Sequence, residues 1–379
     1  MMLRGRLVIA LVVAFGGSAV ADDVPDENAL QVHGFVSQGA LLTTANNYLA
    51  QTEDGSLAFT EAGINFTKQL EDRLTVGMQL FAQDLGQTGS FRANFDWVYL
   101  DYHWHDWLGV RAGRVKLPFG LYNETQDIDA AQPVVLLPQS VYPEADRQFL
   151  LAQNGLDVYG FVPLGRAGAI DYEGYLGTLY FSTTNTVAET FDPANVPYIT
   201  GGRIMWETPV IGLRAGISGF HGELTDTALE PAAFPLPLTL DLTQTQYLAS
   251  VEYANNGFLL AAEYGRSRSH ETLSALGSFR VIGEHGYAMA GYRWTPWLQT
   301  TLYYSLAYPD VGRRSGQENQ QHDAAMSFRI DITPHWLLKL EVHYLRGTAG
   351  LDSSINDNLP LSELTNQWAL FAAKTTAYF

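Results

Sequence analysis

Three cations, Arg111, Arg114 and Lys116, crowd the stretch LGVRAGRVKLPFGLYNE of a chain that holds 40 acidic residues against 22 basic ones and a formal charge of −18. Fixed guanidinium and ammonium groups so close together hold or steer anions by electrostatics rather than break bonds. Directly after them Pro118 ends the strand-like pattern, and about thirty residues follow without a regular period, a length that compact domains reserve for functional loops. That segment brings its own carboxylates, Asp127, Asp129, Glu144 and Asp146. Opposed charges on a strand and on the loop it launches are the parts of a site that orients passing solutes.

Covalent chemistry finds no comparable set. The chain has no cysteine, which removes a thiolate nucleophile, a disulfide framework and a thiolate metal site together. An outer-membrane barrel enzyme needs Ser, His and a carboxylate or amide placed together, and no G-x-S-x-G accompanies the 9 histidines. His103 and His105, in HWH, lie two apart on a strand and need a third ligand to hold a metal. Accordingly no catalytic residue, no metal and no cofactor is assigned. The acidity also argues against nucleic-acid binding, which depends on basic surface.

Elements that could position the cations read as strands. In QHDAAMSFRID, Ala324, Met326, Phe328 and Ile330 share one phase, and Asp323, Ala325, Ser327, Arg329 and Asp331 the other. WLLKLEVHYL sets Leu338, Leu340, Val342 and Tyr344 against Lys339, Glu341 and His343. TQTQYLASVEY and RLTVGMQLFAQD repeat the period of two, which is that of a strand with one apolar face. Short connections near Asp72, Asp106, Gly165, Pro209, Asn256, Pro296 and Pro334 take turns with long ones near Asn46, after Pro118, near Asn185, from Glu223 to Leu240, near His270, near Arg313 and from Gly347 to Leu364. The rhythm predicts an all-β transmembrane antiparallel barrel of about 16 strands, with short periplasmic turns and long extracellular loops. Trp107, Trp294, Trp297 and Trp336 stand beside the short turns, where amphipathic rings would form an interfacial girdle.

The two ends agree with export to that location. Arg4 and Arg6, the apolar run LVIALVVAF and the sequence Ala19-Val20-Ala21 have the layout of a cleaved signal peptide. Residues 1–21 are therefore expected to be removed, leaving 22–379 as the barrel. At the other end Phe379 shares a phase with Ala369, Phe371, Ala373 and Ala377 and resembles the terminal aromatic of proteins sorted to the Gram-negative outer membrane.

A wide barrel needs narrowing if it is to select, and the segment after Pro118 is the natural candidate for a third loop folded inward. Pro133, Pro138 and Pro143 lower the entropy lost on holding it there. VRAGRVKLPFGLYNE followed by LLPQSVYPE resembles the strand and constriction loop of the phosphate-selective porin O/P family and related specific porins, over Val110 to Arg147. The resemblance implies a homotrimer of sixteen-stranded barrels in outer-membrane lipid and lipopolysaccharide, with Arg111, Arg114 and Lys116 lining the pore for anions. The dense arginine ladder of a dedicated phosphate channel is not present. Arg111 and Arg114 differ by three, so a bulge near Gly113 is required if all three cations are to reach water.

Elsewhere phase alone places the charges. Arg203, Arg214, Arg293, Arg329, Lys339 and Lys374 fall opposite the more apolar phase of their strands. Facing lipid at mid-bilayer would cost about 2–4 kcal/mol for Arg or Lys, so they are expected in the lumen. The function these features point to is a porin for passive diffusion of small polar, possibly anionic, solutes, with Asp127, Asp129 and the inward cations at the constriction. A channel for hydrophobic compounds is the alternative, followed by the barrel enzyme.

Overall fold

In a computed structural model the described residues are 29–379, apart from 87, 90, 180–189, 192–195, 231–237 and 275. The signal segment 1–21 and the loop centres at Asn185 and Ala232 lie outside them. Sixteen antiparallel strands form a closed wall. The first eight are β1 Gln31–Thr43, β2 Thr60–Glu71, β3 Leu74–Leu85, β4 Asn94–His105, β5 Leu108–Lys116, β6 Ala152–Pro163, β7 Ala169–Thr178 and β8 Ile199–Glu207. The remainder are β9 Leu213–Glu230, β10 Leu238–Asn255, β11 Phe258–Leu273, β12 Gly277–Thr295, β13 Leu298–Tyr308, β14 Gln321–Thr333, β15 Trp336–Gly347 and β16 Gln367–Tyr378. Two-residue ribbons at Thr88–Gly89 and Thr190–Phe191 decorate the loops.

Closure is made by β1 against β16, in register from Phe35↔Tyr378 to Thr43↔Leu370. Phe379 completes it, because its N–H donates to the Gly34 carbonyl at 2.9 Å and its carbonyl accepts from the Gly34 N–H at 3.1 Å. A closed wall leaves no edge of unpaired backbone groups, the condition for crossing hydrocarbon with strands. No helix among the described residues is long and apolar enough to cross a membrane.

Alternation sorts the side chains as the sequence pattern requires. Leu100, Leu156, Leu176, Ile217, Leu302 and Phe371 are exposed on the outer face, while their strand neighbours Asp101, Asp157 and Tyr175 point inward and are half-buried or buried. Trp107, Trp294, Trp297 and Trp336 are all exposed beside short turns. Two loop expectations change. β9 and β10 continue well into the interval from Glu223 to Leu240, and His270 lies within β11, whose connection to β12 is a tight turn. The four strands β9 to β12 have 18, 18, 16 and 19 residues, against roughly 9–11 for one bilayer crossing. Cross-strand pairing thus extends these hairpins beyond the hydrocarbon, where a composition rich in Thr, Ser and charge reads as loop.

Candidate functional site in the barrel lumen

The connection from β5 to β6 enters the barrel and is fastened on every side. It leaves Lys116, whose ammonium donates to the Glu124 carbonyl at 2.7 Å and pairs with the Asp127 carboxylate. Asp127 also accepts from Gln79 on β3. On the return leg Arg147 donates to Asp96 on β4 at 2.6 Å and lies over the Phe81 ring, 4.2 Å from its centroid. Burial alone would raise the Asp127 carboxyl; Lys116 and Arg147 outweigh it and hold it below the ordinary value.

Across the lumen the wall supplies acceptors to the loop backbone. The Glu341 carboxylate on β15 takes the N–H groups of Val135 at 2.6 Å and Leu136 at 3.0 Å. Glu263 on β11 accepts from Leu121 N–H at 3.0 Å and from the hydroxyls of Tyr142 and Tyr287. Ser218 accepts from Gly120 N–H at 2.9 Å, and Ser140 donates to the Gly286 carbonyl at 3.1 Å. A loop without internal ladder bonds must satisfy its peptide groups elsewhere, and here inward strand side chains do so. Apolar contacts fill the spaces between: Leu117, Phe119, Tyr122, Val134, Leu137 and Tyr142 are buried against Met205, Phe220, Leu248, Tyr287, Met289 and Tyr303 of the wall.

Every cation singled out from the sequence has a defined place. Arg111 points inward, with Glu173 at 2.9 Å, Asp157 at 3.2 Å, Asp101 at 3.7 Å and the Tyr159 ring centroid at 4.1 Å. Arg203 joins this group through Glu124 at 2.6 Å and Glu173 at 3.7 Å. Arg214 pairs with Glu252 at 2.8 Å. Opposite them, Arg293 and Arg329 share Asp331 at 2.7 and 2.9 Å, and Arg329 also donates to the Ala130 carbonyl at 2.5 Å. Lys339, fully buried, donates at 2.7 Å to the Asp129 carboxylate, at 2.7 Å to the Asp129 carbonyl and at 3.0 Å to that of Val134.

Arg114 stands apart. Register between β4 and β5 runs unbroken from Asp101↔Arg111 to Val98↔Arg114, so residues three apart face opposite sides. Arg114 shares a recess of the outer wall with Phe95, Val98, Leu100 and Ala112, and its Nε donates to the carbonyls of Phe95 and Asp96 at 2.9 and 3.0 Å. Gly113 beside it has a φ of 134° without adding the extra residue that a bulge needs. His103 lies 3.8 Å from Asp106 at its turn, and no group of three or more His, Cys, Asp or Glu among the described residues is disposed to hold a metal.

Sequence reasoning passed over Arg147, Asp96, Glu124, Asp157 and Glu173 as site residues. Arg147 lies in a segment with no period. Asp157 and Glu173 occupy the inward phase of their strands, and that phase was the signal available for them; Asp96 shares phase with the outward Val98 and Leu100 and is the extra residue at a register shift opposite Gln79 and Leu80.

No family model matches the chain, and no curated protein is significantly similar to it in sequence. Solved structures match over almost its whole length. An anion-selective porin from Comamonas acidovorans has 13% identity and a TM-score of 0.58, covering 93% of this chain and 99% of its own. The outer membrane channel DcaP of Acinetobacter baumannii has 13% identity and a TM-score of 0.55, over 92% and 97%. The trimer form of in-vitro folded OmpT, an outer membrane protein of Vibrio cholerae, has 10% identity and a TM-score of 0.53, over 93% and 99%. At these identities the likeness is one of architecture: the chain has the fold of outer-membrane porins and channels.

Proposed function

We propose that this chain is an outer-membrane channel through which small polar solutes diffuse passively, narrowed by the β5–β6 loop. One observation carries the reading: the loop is clasped at its middle by Glu341 and Lys339 on one wall and at its base by Asp96 and Gln79 on the other. Such an element sets the width of whatever water path remains beside it. The porin and channel neighbours support the role through shared architecture.

Selectivity in this reading follows from charge left over after pairing. Arg111 and Arg203 sit among Asp101, Asp157, Glu173 and Glu124, so that side of the lumen holds more acid than base. Arg293, Arg329, Lys339 and Lys374, on β12 and β14 to β16, are engaged by Asp331, Asp129 and Glu61. An arrangement of this kind favours no anion, and the reading adopted is a channel without anion preference. Homotrimeric assembly belongs to the proposal; one neighbour is a trimer form, and a partner subunit would relieve the outward Arg114 of a lipid contact costing about 2–4 kcal/mol at mid-bilayer depth.

Planar-bilayer recording tests the proposal. Deleting Asp127 to Pro143 should raise single-channel conductance, and the intact protein in a salt gradient should show a reversal potential that is near zero or displaced toward cations. Conductance unchanged by the deletion would place the limiting step outside the loop, and a strong anion potential would refute the charge reading.

A further inference from the structure

Outward of the docked loop the lumen opens into a cavity of about 840 Å³, within the range of roughly 300–1,000 Å³ typical of sites that enclose drug-sized molecules. Its wall differs from the ion-paired region already described. Ile199, Phe220, Leu224 and Leu242 line one side, and Val141 and Phe149 of the loop line another. No Lys or Arg is among the described lining residues, whereas Asp146, Glu223, Asp323 and Asp352 are. Segments 180–189, 192–195 and 231–237, which lie outside the described residues, contain no Lys or Arg either. Their placement therefore cannot reverse the sign of the cavity.

Three of the four acids are already engaged. Asp323 lies 3.0 Å from His343, Glu223 accepts from the Tyr198 hydroxyl at 3.2 Å, and Asp352 accepts from the Ser354 N–H at 2.8 Å. Asp146 is different: it is exposed to the cavity, and its side chain makes no capping bond to the short helix Arg147–Leu150 that follows it. No ion pair or side-chain hydrogen bond engages it among the described residues. Arg147, its neighbour in sequence, is turned away to Asp96.

We propose that this outer vestibule binds organic cations with an apolar body, the body against the Leu, Ile and Phe side chains and the positive group against Asp146. Apolar lining gives affinity without direction. Asp146, the lining carboxylate with neither oxygen engaged, supplies orientation and discriminates by sign, because an anion of the same shape would meet uncompensated negative charge and no donor cation. Desolvation by the barrel wall and loop packed around the cavity pushes the Asp146 carboxyl up from its ordinary value although the side chain is open to that cavity, as expected for an acid without a counter-ion, and a bound cation would lower it again. The inference goes beyond conduction: it holds whether or not the bound molecule passes through the waist.

Calorimetric titration of the folded full chain in neutral detergent tests it, with benzyltributylammonium as the cation, tributyl(benzyl)silane as its neutral analogue and benzenesulfonate as the anion. The cation should bind the native protein, at least tenfold more tightly than Asp146→Asn, with Asp146→Glu recovering most of the difference. Affinity of the native protein should also fall as acid protonates Asp146, a readout that needs no variant. Equal affinity for native protein and Asp146→Asn, benzenesulfonate bound as tightly as the cation, or affinity flat between pH 7 and pH 4 would each overturn the proposal. No flux is read in this assay, so a channel that fails to conduct and a vestibule that fails to bind give separate results.

Discussion

Replacing Asp129 by Asn should loosen the loop from the far wall. Its carboxylate accepts from Lys339 and from the Thr376 hydroxyl, both at 2.7 Å, and lies 3.5 Å from Lys374. The side chains of Asp129 and Lys339 are 1% and 0% exposed. Asn keeps the volume and removes the charge, so a fully buried ammonium loses its counter-ion. Lys374 retains Glu61 at 2.6 Å, which concentrates the loss on Lys339. Breaking a buried pair from one side costs about 3–5 kcal/mol, and about 3 kcal/mol already shifts a docking equilibrium by roughly two orders of magnitude. Single-channel records of Asp129→Asn should show a larger, noisier current. Asp129→Asn combined with Lys339→Met should recover much of the quiet state, because removing both charges leaves neither unpaired. Quiet wild-type currents from the single variant, or a double variant worse than the sum of the two single ones, would refute the clasp.

The same group sets a pH window. Burial would raise the Asp129 carboxyl, but Lys339 and Lys374 outweigh it and hold it well below its ordinary value. A depressed folded value stabilises the docked loop above the unfolded value of about 3.9 and loses that stabilisation as pH falls toward the lower one. Noise from loop release should therefore be absent between pH 7 and pH 5 and appear only in stronger acid. Arg111→Glu would add an acid to the group of Asp101, Asp157 and Glu173 and should move the reversal potential toward cations; an unmoved potential would leave that group outside the conduction path. Gly113→Val should weaken the barrel by about 1–3 kcal/mol, read as a lower temperature for loss of the compact form on gels, because φ there is 134° and a Cβ would meet the Val98 carbonyl oxygen at 2.4 Å.

How far the fold could be read in advance depended on the period of two. Lys339, Glu341 and His343 stand opposite Leu338, Leu340 and Val342 in the sequence, and the structure places the first set in the lumen and the second outward. Lipid imposes this on each strand separately, so the pattern is local and legible. The loop obeys no such rule. Asp129 meets Lys339, and Val135 meets Glu341, over separations of 210 and 206 residues, and no spacing within Phe119 to Phe149 encodes those partners. The failure at Arg114 is instructive for a different reason. It shares phase with Val110 and Ala112, and the unbroken register keeps it there.

Why the most basic strand launches this loop can now be answered from pairing rather than charge count. Lys116 does not stand bare at a waist; it ties down Asp127, the first acid of the loop's middle section. Lys339, Lys374 and Arg329 do likewise at the far wall, holding Asp129 and the carbonyls of Ala130 and Val134. Cations of this kind fasten a polar segment inside the barrel, and each acid they engage is withdrawn from the field a solute would feel. What remains for a solute is the surplus: the acids around Arg111 and Arg203 below the loop, and Asp146 above it. In the proposed channel this surplus would be negative on both sides of the loop, because four acids share Arg111 and Arg203 and, among the described residues, no cation pairs with Asp146.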